Sequence, residues 1–130
     1  MANYYCSCRT NYFEVKDLKA FKEWCGQYPV QFITGDGNLV GLIGDDPNGG
    51  SWPTYNDDTD EDIAFAAELS EHLADNSVAI LMEAGSEKSR YVIGYAVAIN
   101  AAGERLVISI DDIYALVKTE WGVVPTRAEY

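Results

Sequence analysis

The side chains best suited to nucleophilic or metal chemistry are few: Cys6, Cys8, Cys25 and a single histidine, His72. On a strand, Cys6-x-Cys8 points both thiols to one face, so these four residues compose a conceivable zinc set or a Cys–His nucleophilic pair. Their spacing argues against both. Zinc sites favour C-x₂₋₄-C and paired ligand clusters, and nothing local activates a thiolate. The preferred reading is buried cysteines packed against the first helix, free thiols in a reducing compartment. No catalytic group, metal or cofactor is expected, and the chain reads as non-enzymatic.

The carboxylates offer a different chemistry. Asp58-x-Asp60-x-Asp62 imitates the start of a calcium loop, but Ile63 stands where that loop requires glycine. Acid–base catalysis by a carboxylate pair needs a pocket that raises one pKa, which an open helix face does not supply. "GDGN" and "GDDPNGG" lack the lysine and spacing of a phosphate loop and read as turns. What remains is charge itself. The 130 residues carry 9 Lys and Arg against 21 Asp and Glu, a formal −12. Residues 36–87 hold thirteen acids and no Lys or Arg, whereas residues 88–130 hold five of each.

Within that middle segment, a T-x-x-D pattern from Thr59 to Asp62 predicts a helix over roughly 60–74. On its wheel, Asp60, Glu61, Glu68, Glu71 and Asp75 share one stripe of roughly 22 Å, opposite Ile63, Ala66, Leu69 and Leu73. Asp45, Asp46, Asp57 and Asp58 extend the charge upstream. The helix dipole explains the acids of the first turn but not Glu68, Glu71 and Asp75, which repel one another without a local cation. Duplex DNA carries about one charge per 3.4 Å of each strand, a density this stripe approaches. Such a surface disfavours nucleic acid and anionic membranes and favours a basic partner. The competing reading is a face that serves only solubility. Trp52 and Tyr55, inside the polar loop, read either as interface anchors or as pins holding the loop to the body.

These groups must be positioned by the surrounding elements. Tyr4–Val15 reads as one strand or a bent pair. Asp17 caps a first helix that carries Leu18, Phe21 and Cys25 and closes at Gly26. Strands follow at Val30–Thr34 and Leu39–Ile43, then a long acidic loop over 44–59 and the second helix. Ser77–Ala84, Arg90–Asn100 and Arg105–Ile110 predict a meander, and Ser109 with Asp112 starts a third helix through about Trp121, before an irregular tail. The order β-α-β-β-α-β-β-β-α predicts one α+β domain over 1–130, with a mostly antiparallel sheet and about three helices packed on it. No window matches a signal segment or a membrane span, so a cytoplasmic protein is expected.

The stretches "YYCSCRTNYFEVKD", "GGSWPTY", "DEDIAFAAELSEHLAD" and "GYAVAINAAGERLVISIDDIY" resemble a family of small acidic proteins carried by proteobacterial phages, plasmids and integrative elements. The resemblance spans nearly the whole chain and brings no catalytic motif. It implies an anti-defence role of the antirestriction or anti-CRISPR type, in which some members mimic DNA. Together with the charge map, this predicts an inhibitor that occupies a basic nucleic-acid-handling protein through Asp45, Asp46, Trp52, Tyr55, Asp57, Asp58, Asp60, Glu61, Glu68, Glu71 and Asp75. The alternative is a structural or housekeeping interaction module.

Overall fold

The computed structural model describes residues 5–44, 52–53, 55–56, 61–62, 64–88 and 91–128; at 55–56 and 61–62 only the backbone is described. The first strand, β1 (Tyr5–Thr10), alternates exposed and buried residues and turns Cys6, Cys8 and Thr10 inward, as the C-x-C spacing requires. Helix α1 (Leu18–Cys25) starts where the Asp17 carboxylate accepts the amides of Lys19 and Ala20 at 3.0 and 3.2 Å. It buries Phe21, Trp24 and Cys25. Leu18, expected on that face, is exposed, and Trp24 fills the position instead.

β2 (Val30–Thr34) and β3 (Val40–Gly44) form a hairpin about the Asp36–Gly37 turn. β4 (Tyr55–Asn56) pairs with β5 (Glu61–Asp62) in a separate two-stranded ribbon. Helix α2 (Phe65–His72), strands β6 (Val78–Glu87), β7 (Tyr91–Asn100) and β8 (Arg105–Ser109), and helix α3 (Asp112–Trp121) complete the order. The main sheet is antiparallel throughout, with strand order β2-β3-β1-β6-β7-β8. The molecule is a single α+β domain, and apart from the short β4–β5 ribbon its element order is the one predicted.

The second helix departs from expectation. It begins at Phe65 rather than near Asp60, has no side-chain cap, and leaves Glu61 and Asp62 extended in β5. Two tertiary effects override the local T-x-x-D signal. Phe65 is buried between Trp24 and Trp52, ring centroids 4.9 and 5.7 Å away, which fixes where the apolar face starts. At the other end, the His72 carbonyl accepts the Lys16 amide at 2.9 Å and the Ala74 amide donates to the Glu14 carbonyl at 3.0 Å. Those bonds draw the chain into an extended exit at Leu73.

α1, α2 and Trp52 share one core with the inner sheet face, built on Phe13, Phe21, Leu42, Leu69, Leu81 and Ile99. α3 stands apart, with no buried residue. Its first residue, Asp112, accepts the Ser109 amide at 2.8 Å, while Asp111 at the N-cap position makes no side-chain capping bond, so the pair bridges the turn before the helix rather than forming the expected capping pattern. It stops at Gly122, in the left-handed region at φ 69° with its amide bonded to the Lys118 carbonyl. The tail folds back: Arg127 lies 4.3 Å over the Tyr114 ring, and the Tyr114 hydroxyl accepts the Ala128 amide at 2.6 Å.

Candidate functional site

The acidic residues do not form the helical stripe read from the wheel. Asp45, Asp46, Asp57, Asp58 and Asp60 lie outside the described residues, and Glu61 belongs to β5. Of the remaining three, only Glu71 is an exposed acid on α2; Asp75 is exposed in the turn beyond the helix end. Glu68 faces the neighbouring helix. Its Oε1 accepts Trp24 Nε1–H at 2.9 Å and the Tyr28 hydroxyl at 2.6 Å. A wheel describes a helix against its own core stripe only, and here α1 and the turn after it supply two donors on the supposedly solvated side. Glu68 is therefore a tie between α1 and α2, not part of an open acidic face.

Trp52 is a pin. It is buried against Phe65, its amide donates to the Glu83 carboxylate at 3.0 Å, and its indole N–H donates to the Met82 carbonyl at 3.2 Å. Tyr55 pairs through its backbone with Asp62. Trp52 is thus fastened to the main sheet, and Tyr55 to the strand just before α2.

Sequence reasoning missed Glu83, an acid facing the core. It is buried, and its Oε1 accepts the Trp52 amide and the Tyr95 hydroxyl, the latter at 3.1 Å. The signal was present: period-2 alternation carries the inward set Ala79 and Leu81 on to Glu83. Cross-strand register aligns Cys8, Glu83, Tyr95 and Ser109 in one row.

All three cysteines are buried. Burial, then the Glu83 carboxylate and Cys6, pushes the Cys8 thiol up to about 12. Burial alone raises Cys25, to about 11. Both are thus held as neutral thiols at physiological pH, the opposite of an activated nucleophile. His72 packs on the Trp24 and Phe21 rings, centroids 5.1 and 5.9 Å away. Among the described residues, no three His, Cys, Asp or Glu side chains gather as a metal site.

The raised acids set a pH limit. Tyr28 is also pushed up to about 12, by burial and by its bond to Glu68, and Tyr95 rises for the same two kinds of reason. A group whose folded pKa is raised supports the fold below its unfolded value and loses that support as pH climbs towards the folded one. Unfolded thiols titrate near 9 and tyrosines near 10. The urea midpoint is therefore expected to hold from pH 7 to about 8.5 and to fall steadily above pH 9. A midpoint unchanged at pH 11 would contradict the burial of these groups.

The architecture is that of an antiparallel α+β protein with two helices on one sheet face. Comparisons with protein-family models, curated proteins and solved structures find no match. Among the described residues, no helix is long and apolar enough to cross a membrane.

Proposed function

We propose that the chain is a non-enzymatic cytoplasmic binding protein that offers its acidic middle segment to a basic nucleic-acid-handling partner and inhibits it by occupancy. The observation that carries this reading is the run of thirteen acids over residues 36–87 without one Lys or Arg. One anchor beside these acids supports it: Trp52 is bonded to β6 through Glu83 and the Met82 carbonyl, and a segment held at one point has less freedom to lose on binding. The resemblance to mobile-element proteins points to a host defence factor as the partner. Glu68 leaves the list of field-forming groups, because it is spent on internal hydrogen bonds, and Glu83 does not join it for the same reason.

The test follows from that division. Reversing Glu68 to Lys would disturb the α1–α2 tie, so the informative variant reverses Asp57, Asp58, Glu71 and Asp75 to Lys. The tagged wild type is expected to retain a basic nucleic-acid-binding protein from bacterial lysate at low salt, with affinity falling at least tenfold on raising salt to about 0.5 M. The reversal variant should lose it while keeping its circular dichroism. Equal capture by the folded variant would sink the proposal.

A further inference from the structure

Among the described residues, no helix covers the outer face of the main sheet, and α3 buries none of its side chains. Alternation across β1, β6 and β7 puts Ser7, Ala84, Gly94 and Ala96 on the face opposite the core, a floor of small side chains. Met82 stands among them, between Arg9 on β1 and Ala96 on β7, and with Ile108 and Ile110 along the β8 side the floor forms a groove of about 630 Å³. Met82 and Ile108 are 52 % and 67 % exposed. Ile113, Leu116 and Trp121 recur along one side of α3 at i, i+3 and i+8, the spacing of a helix that expects an apolar seat. Each is more than half exposed, Trp121 at 76 %. Leu106 on β8 and Val124 in the folded-back tail extend the same exposure.

We infer that these two surfaces meet in a second copy of the chain, the α3 of each protomer lying on the outer sheet floor of its partner about a two-fold axis. A two-fold interface needs self-complementary halves on one surface, and each protomer holds one seat without a helix and one helix without a seat. The size fits. Fully burying an aliphatic side chain removes roughly 100 Å², so helix, β8 and floor together offer on the order of 800 Å². That equals the share of each partner in a standard interface and exceeds the roughly 300–600 Å² of the largest patch on a typical monomer. Charge favours the same choice. Two chains of net −12 repel, and residues 88–130, which carry β7, β8 and α3, hold equal numbers of acids and bases. Copies that meet here keep their acidic segments out of the contact.

Sedimentation equilibrium of the full chain over about 1–100 µM tests this. The expected result is twice the chain mass. Single substitutions of exposed residues on either half, Leu116→Glu on the helix or Met82→Glu on the floor, should each weaken dimerisation at least a hundredfold with unchanged far-ultraviolet circular dichroism. A wild-type monomer at 100 µM overturns the inference, whether the face then binds a different protein, a small apolar molecule or nothing. A dimer that survives both substitutions overturns it as well, because the copies would then meet elsewhere.

Discussion

Replacing Phe21 by alanine is expected to remove about 3–5 kcal/mol of stability, a large part of the roughly 5–15 kcal/mol available to a domain of this kind. Phe21 is fully buried and sits where three parts of the fold converge. Its ring meets Phe13 edge-on at 5.8 Å, and lies 5.9 Å from each of Trp24, Phe32 and His72. Those partners belong to the segment after β1, to α1 itself, to β2 and to α2. The substitution therefore leaves a cavity bordered by four rings that cannot all close over it. Urea unfolding followed by circular dichroism measures the loss. A cost below 1 kcal/mol would mean that α1 is not seated on the sheet as described.

The second large effect is expected at Glu83. Alanine there removes the acceptor of the Trp52 amide and of the Tyr95 hydroxyl in a site shielded from water. A buried donor left unsatisfied costs about 1–3 kcal/mol, so Glu83→Ala should lose roughly 2–4 kcal/mol, while Glu83→Gln, which keeps a carbonyl acceptor, should lose markedly less. Removing the negative charge also relieves one of the influences holding the Cys8 and Tyr95 protons, though burial remains the larger one for both. The alkaline decline of either variant should accordingly begin at a similar pH. If alanine and glutamine prove equally harmless, the carboxylate is not what holds the loop at Trp52.

Elements whose determinants are local could be read directly from the chain. Asp17 and Gly26 bound α1, Asp112 stands at the start of α3, and the turn formers between apolar stretches delimit the strands to within a few residues. The start of α2 could not be read this way, because Thr59 and Asp62 make a correct capping pattern that loses to the Trp24–Phe65–Trp52 stack. Glu68 was misread for a related reason: its partners, Trp24 and Tyr28, are 44 and 40 residues away in sequence. Glu83 was legible by alternation, which places it on the inward face with Ala79 and Leu81, although its charge alone would assign it to the surface. The apolar outer face was legible too. "YVIGYAVAI" and "RLVISI" are nearly continuous apolar runs, a pattern that belongs to strands covered on both sides, and among the described residues helices cover one side only.

The three tryptophans occupy two optical environments. Trp24 and Trp52 are buried in the aromatic core, while Trp121 projects into solvent on α3. Emission from the first two should be blue-shifted and shielded from iodide, and Trp121 should supply the red, quenchable component wherever α3 is uncovered, as in the dissociated protomer. Loosening of the core and covering of α3 thus move the spectrum in opposite directions. The molecule carries its own two-channel reporter and needs no attached dye.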